Sequence, residues 1–329
     1  MVDILVIGEH TRGLLDSTTK ELLGAAQRLD GKIGVAILTD EVLDKSAEES
    51  IALGADEVFV IQDPMLKRSA VEAHVTALEQ LCNHINPNSI LLGKTIVGSD
   101  LGPRLAFRLD TGMAQDCIGV SQISSSSEIV ATRPVYGGNA LATIAFAGNG
   151  PHVVVIRNGT YAPPGNNADN IGRVTLFKAQ LDPAELKVRQ LQTVEKPRTG
   201  IRLEEARAIV CGGRGLGGPE PFEQLSELAT LLRGAVGASR AACDAGWIDH
   251  IYQIGLTGKT VAPDLYLAIG VSGASQHMAG CTGSKNIVAI NSDAAANIFH
   301  EARFGVVGDW RKILTSFIET VRELNEQHN

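Results

Sequence analysis

The chain has 329 residues, a formal net charge of −8 and only 4% aromatic residues. An acidic balance excludes a binder of nucleic-acid backbones, whose affinity comes from clustered Lys and Arg, and so few aromatics exclude a base-stacking platform. With 44% hydrophobic residues, the chain can bury a core and is long enough for two domains.

The first element is "DILVIG" at 3–8, an apolar strand followed by a helical stretch ending near Leu29. No basic stretch or cleavage site precedes it, and no apolar run reaches membrane-spanning length. The expectation is a cytoplasmic protein without membrane insertion. "IGVAIL" at 33–38 precedes a helical "AEESIALGA". "EVFVI" at 57–61 precedes the amphipathic "AVEAHVTALEQLCNHI", and "SILLG" lies at 89–93. Strand and helix alternating at this spacing predict βαβ units on a parallel sheet.

After Asp116 the pattern changes. "EIVATRPVYGGNALATIAFAG" and "HVVVIRNG" read as strands with little helix between them, a mixed extension of the first sheet. The serines at 124–127 read as a turn, and "YAPPGNNADNIG" at 161–172 as a loop. "VEKPRTGIRL" at 194–203 is a polar joint, so the expected domains are 1–195 and 196–329. Behind it come a strand in "ARAIVCGG", a helix over "FEQLSELATLLR", a short strand near Val236, strands in "DLYLAIGVSG" and "NIVAIN", and a last helix from Trp310 to Glu323. The fold class is α/β in two domains, an N-terminal one with a parallel sheet and a C-terminal doubly wound one.

Cysteines at 82, 117, 211, 243 and 281 include no C-x-x-C pair, and the eight histidines form no H-E-x-x-H. Scattered thiols of this kind read as reduced, buried hydrophobes, and no metal site is expected.

The chemistry concentrates in the second half. "CGGRGLGG" at 211–218 fits G-x-G-x-x-G between a strand and a helix opening near Pro219. Glycines there let a phosphate approach the backbone, and a helix N-terminus favours an anion. The next strand ends in Ser239 and Arg240 rather than in the acidic residue that binds the ribose of NAD. An NAD(P)-dependent oxidoreductase using this turn is the alternative; it lacks a visible acid–base pair. Thr257 sits between two glycines in "IGLTGKT", where it can bond a ligand or merely shape a turn. Ser272, Gln276 and His277 follow the strand "DLYLAIG", His277 being either a ligand contact or a packing residue. Asn291 and Asp309 mark two further strand or helix edges. Ligands of open α/β sheets bind at such edges, so the set suggests a cradle for a nucleotide cofactor with phosphate and ring parts.

Taken together, "GGRGLGG", "AVGASRAACDAGW", "GLTGKTVAPDLYLAIGVSGASQHMAG", "SKNIVAINSD" and "FGVVGDW" resemble the α subunit of electron transfer flavoprotein, as do "SDLGPRLAFRLDTGMAQDC" and "TRPVYGGNALATI" in the first half. The resemblance covers essentially the whole chain. It implies an FAD-binding C-terminal domain and an N-terminal domain that supports a partner β subunit. The heterodimer would carry electrons between flavin dehydrogenases, such as the acyl-CoA dehydrogenases of fatty acid β-oxidation, and an acceptor. An electron-bifurcating complex is another setting for such a subunit. The implied cofactor contacts are Arg214 and Ser239 at the diphosphate, Arg240 over the isoalloxazine ring, and Leu256, Thr257 and Gly258 near N5. Ser272, Gly273, Ala274, Ser275, Gln276 and His277 would wrap the ribityl and pyrimidine side, with Asn291, Asp309 and Trp310 at the ADP half. Leu256 stands where many members have glutamine. His277 would lie near O2, where a donor, especially a charged imidazole, would favour the reduced ring.

Overall fold

The computed structural model describes residues 2–11, 13–40, 45–66, 71–123, 128–138, 140–148, 150–188 and 200–327. The serines at 124–127 and residues 194–199 of the expected joint lie outside these. The chain divides into two compact units, Met1–Glu195 and Lys196–Asn329. Only strands of four or more residues are numbered below.

Unit 1 begins with β1 (Ile4–Gly8), α1 (Ser17–Ala26), β2 (Ile33–Thr39), α2 (Lys45–Ala52), β3 (Glu57–Gln62), α3 (Val71–Ile85) and β4 (Ser89–Gly93). It continues through α4 (Ile96–Arg108), β5 (Met113–Cys117), β6 (Gly119–Gln122), β7 (Ile129–Val135), β8 (Ala140–Ala145), β9 (His152–Ile156) and β10 (Arg173–Leu176). Seven strands form one sheet in the order β10-β3-β2-β1-β4-β9-β5, parallel throughout. Adjacent residues of β1 point to opposite faces: Ile4 and Val6 enter a core with α1, whereas Leu5 and Ile7 enter one with α3 and α4. A sheet covered on both faces needs strands apolar on both faces, and β1, β4 and β9 are buried along their whole length.

The segment after Asp116 differs from the expected mixed extension. β6, β7 and β8 form a separate three-stranded antiparallel sheet. "HVVVI" inserts as β9 into the interior of the parallel sheet, between β4 and β5. The sequence itself contains the reason: β9 carries four consecutive apolar residues after His152 and is buried at every position, while β8 alternates between exposed and half-buried. Helix α4 was not among the expected elements. Thr95 caps it, its hydroxyl accepting from the Gly98 amide at 2.9 Å, a bond that contributes about 1 kcal/mol. Pro103 lies inside it, on the exposed side.

Unit 2 contains β11 (Ala208–Gly212), α5 (Pro221–Leu231), β12 (Ala235–Ala238), α6 (Arg240–Asp244), β13 (Leu265–Ile269), α7 (Ser275–Met278), β14 (Ile287–Asn291), α8 (Ile298–Glu301), β15 (Phe304–Val307) and α9 (Trp310–Gln327). The sheet is parallel in the order β12-β11-β13-β14-β15. Ile209 and Cys211 face a core with Met278 and Ile298, while Val210 faces one with α5 and α9. Trp310, Leu314 and Ile318 form the buried stripe of α9 at helical spacing. The unit is thus doubly wound. All five cysteines are free and buried.

Candidate functional site

Numbered within unit 2, the strand order is 2-1-3-4-5, and it reverses between β11 and β13. Loops leaving neighbouring strands there turn to opposite faces, which opens a crevice at the carboxyl ends. The loop after β11 is Gly213–Gly218, with a single helical turn at Arg214–Leu216 before α5. The loop after β13 is Gly270–Ala274. The two loops touch backbone to backbone: the Gly215 amide donates to the Gly270 carbonyl at 2.9 Å. A Cβ on Gly213 would lie 2.2 Å from that same oxygen, and Gly270 itself adopts φ +62°. Side chains are therefore excluded from the floor of the crevice, leaving a cleft of bare peptide. The Trp310 indole N–H fixes the floor from behind, donating to the Gly215 carbonyl at 3.1 Å.

The sequence-derived residues collect around this floor. The Arg214 side chain is exposed and has no hydrogen bond or ion pair among the described residues, while its carbonyl accepts from the Gly217 amide at 3.2 Å. Ser239 follows β12; its amide donates to the Gly212 carbonyl at 2.9 Å, while its hydroxyl oxygen is buried without a partner. Arg240 opens α6, its Nε 3.3 Å from Asp244 Oδ2, with the side chain 66% exposed. Ser272, Ala274, Ser275 and Gln276 are exposed, and Gly273 is buried. Asn291 binds two loops together: its Nδ2 donates to the Val271 carbonyl at 2.9 Å, and its Oδ1 accepts from the Asp293 amide at 3.0 Å. Asp309 Oδ1 accepts from the Arg311 amide at 3.1 Å. Trp310 is mostly buried, so its indole supports the glycine turn.

Leu256, Thr257 and Gly258 form an exposed loop beside β12. The Ile254 amide donates to the Ala238 carbonyl at 2.9 Å, one residue before Ser239, and the Leu256 amide donates to the Gln276 carbonyl at 2.7 Å. The loop is thereby tied to both β12 and α7.

His277 departs from the expected charged imidazole. Its Nε2 lies 2.9 Å from the hydroxyl of Tyr266, a fully buried residue of β13. Its Nδ1 is buried toward the Ile254 carbonyl, without a hydrogen bond of good geometry. Burial holds the imidazole pKa down to about 4, against the opposing pull of that carbonyl. The ring is neutral at pH 7 and faces the core, because a buried phenol needs a partner and this imidazole supplies one. Sequence reasoning missed Tyr266, although a tyrosine within the apolar run "LYLAI" signals a buried hydroxyl to be satisfied. It also missed Gln253, which is 5% exposed and sits in a loop where no periodicity marks it.

The residues present suit an anionic nucleotide with a flat ring. The peptide floor admits close approach, Ser239 has an unused buried hydroxyl, and Arg214 has an unused guanidinium. Among the described residues there is no cluster of His, Cys, Asp or Glu able to hold a metal.

A doubly wound sheet with a bare glycine crevice at its switch point defines the class: a protein built to bind a nucleotide cofactor. The family model for the electron transfer flavoprotein domain matches residues 4–182, and that for the electron transfer flavoprotein FAD-binding domain matches residues 202–282. An electron transfer flavoprotein subunit alpha from Thermoanaerobacterium thermosaccharolyticum is 40% identical, over 98% of this chain and 98% of that protein. One from Megasphaera elsdenii is 40% identical, over 97% and 96%. A lactate dehydrogenase (NAD(+),ferredoxin) subunit LctC from Acetobacterium woodii is 34% identical, over 97% of this chain and 76% of that one. The chain belongs to the electron transfer flavoprotein α-subunit family, and its cofactor is FAD. No helix among the described residues is long and apolar enough to cross a membrane.

Proposed function

We propose that this chain is the FAD-carrying half of a heterodimer with an electron transfer flavoprotein β subunit, and that it relays electrons between flavin dehydrogenases and an acceptor. The open crevice between β11 and β13, floored by peptide and edged by donors without partners, carries this reading. Arg214 and Ser239 would hold the diphosphate, with charge-assisted bonds from the guanidinium. Arg240 would lie against the ring. Thr257 would aim its hydroxyl at N5, with Leu256 and Gly258 flanking it. The turn Ser272–His277 would wrap the pyrimidine side, and Asn291, Asp309 and Trp310 would bound the ADP half. FAD supplies a ring that accepts and releases electrons one at a time; the chain orients it and places fixed donors where electron density grows. Unit 1, with its own covered sheet, would support the partner subunit.

Acyl-CoA dehydrogenases are one class of donor. The relative named as an NAD(+),ferredoxin enzyme subunit favours a second setting, a complex that divides electron pairs between two acceptors. Co-expression with a β subunit tests the reading. The expected product is a yellow heterodimer that takes electrons from a reduced acyl-CoA dehydrogenase or, in the second setting, from NADH with ferredoxin present. A colourless chain that binds NADPH would overturn it in favour of an NAD(P)-dependent oxidoreductase.

A further inference from the structure

The loop bearing Thr257 is organised by one buried amide. The Gln253 carbonyl accepts from the Lys259 amide at 2.7 Å and closes the base of the loop. Its side chain runs inside: Nε2 donates to Thr257 Oγ1 at 3.0 Å, and Oε1 faces His250 Nδ1 at 2.9 Å. His250 Nε2 in turn lies 3.7 Å from Asp244 Oδ1, and Asp244 Oδ2 lies 3.3 Å from Arg240 Nε. A continuous polar chain therefore joins Arg240, Asp244, His250, Gln253 and Thr257.

The direction of the bonds matters. A carboxamide oxygen can only accept, so His250 Nδ1 carries a hydrogen toward Oε1. The amide nitrogen can only donate, so the Thr257 hydroxyl oxygen acts as an acceptor on its inner side. The single hydroxyl hydrogen of Thr257 is then left for the outer, exposed side of the loop. With the amide reversed, the hydroxyl would donate inward and turn a lone pair outward.

We infer that Gln253 is a positioning residue that makes the Thr257 hydroxyl an outward hydrogen-bond donor to the cofactor. The inference rests on Thr257 facing the flavin, as proposed above. Gln253 does not touch the cofactor; it decides whether the residue that does is a donor or an acceptor. A donor favours an added electron on the ring, so turning the hydroxyl inward or freeing it weakens that preference.

A double-mutant cycle on the heterodimer, read by the first one-electron reduction potential of the bound FAD, tests this. Thr257→Val should weaken the preference for the added electron about tenfold, a fall of about 59 mV. Gln253→Met, similar in length but without hydrogen bonds, should lower the potential by about half as much. In the Thr257→Val background Gln253→Met should add no further shift. Gln253→Glu is the second variant, in case Gln253→Met does not fold: it keeps the shape, only accepts, and should turn the hydroxyl inward. Its effect should likewise be smaller without the Thr257 hydroxyl, although its added charge persists. If Thr257→Val leaves the potential unchanged, both the N5 role of Thr257 and this inference fall. If Thr257→Val shifts it but the Gln253 variants do not, or if their shifts simply add, Thr257 keeps its role and the positioning by Gln253 is overturned.

Discussion

The two units present the same architectural position, the carboxyl edge of a parallel sheet where strand order reverses, with different furnishing. In unit 1 the reversal lies between β1 and β4. Glu9 follows β1; its Oε1 accepts from the Thr95 hydroxyl at 2.6 Å, and its amide donates to the Thr19 hydroxyl at 2.8 Å. At the end of β5, Asp116 accepts from Lys94 Nζ at 2.7 Å and from Arg157 Nη2 and Nε at 2.8 and 2.9 Å. The carboxylates at this edge are thus engaged internally, although His10 Nδ1, Thr11 Oγ1 and Asn158 Oδ1 beside it are buried without a partner. In unit 2 the corresponding edge is bare peptide, ringed by a free Arg214, an unpartnered Ser239 hydroxyl and exposed serines. The lesson is that a bare peptide floor with an uncommitted guanidinium and hydroxyl beside it, rather than the reversal itself, makes a switch point available to a ligand. Fold alone does not decide it.

The contrast can be broken most severely at the floor of the open crevice. Gly270→Ala forces a left-handed residue and sets a Cβ 2.9 Å from the Gly215 carbonyl carbon; crowding and backbone strain together should cost about 3–5 kcal/mol. Urea denaturation of the variant should show unit 2 unfolding early, and gel filtration should yield protein without FAD.

His277 is a titratable side chain at the open edge that is engaged inward, so its effect should be on stability and should depend on pH. The folded imidazole titrates near pH 4, while the unfolded one titrates near 6.5. The folded state therefore binds fewer protons between these values. This contribution is complete above pH 6.5 and is lost as pH falls toward 4, about 3 kcal/mol in all. Denaturation of the apo chain at pH 7 and pH 5 should show a steeper loss in the wild type than in His277→Gln, which keeps an acceptor for Tyr266. Equal slopes would mean that the ring is charged or exposed.

Arg214, free and exposed, should behave in the opposite way. Arg214→Ala should weaken FAD binding by about 2 kcal/mol, or roughly thirtyfold, and leave the melting temperature of the apo chain unchanged. Flavin retained after dialysis measures it, and wild-type retention would remove Arg214 from the site.

The smallest effect belongs to the closed edge. Burial raises the Asp116 pKa, but hydrogen bonds and charge from Arg157 and Lys94 outweigh it and hold the carboxyl below its ordinary value. Its contribution is thus present above about pH 4 and lost as pH falls through the lowered value. Asp116→Asn should cost about 1 kcal/mol at pH 7, with the difference closing in acid and FAD content unaltered. A loss of FAD would mean that the closed edge also serves the cofactor.

Much of this was legible in the sequence because apolar periodicity is local. β1, β2, β3, β4 and the glycine turn after β11 announce themselves in windows of a few residues. Helix α4 did not, since Gly98, Gly102 and Pro103 dilute its pattern and its stability comes from a threonine cap and from packing on β9. β5 and β10, "MAQDC" and "RVTL", are polar edge strands fixed by pairing partners far along the chain. The inward turn of His277 depends on Tyr266, eleven positions earlier on a neighbouring element, and the role of Gln253 depends on two hydrogen bonds in an aperiodic loop. Residues at the site were readable as types, but their orientation was set by contacts that no spacing encodes.

The five buried cysteines also make the chain a clock for its own opening. Burial pushes Cys82 and Cys281 up to about 12, and Cys117 and Cys243 up to about 11, so at neutral pH the reactive thiolate is vanishingly rare while the units stay closed. Alkylation must wait for local or global unfolding, and its rate then reports how often each region opens. Two of the thiols lie in unit 1 and three in unit 2. Mass-resolved labelling with and without FAD would time the two units separately, and ligand protection should slow Cys211, Cys243 and Cys281 while leaving Cys82 and Cys117 at their own pace.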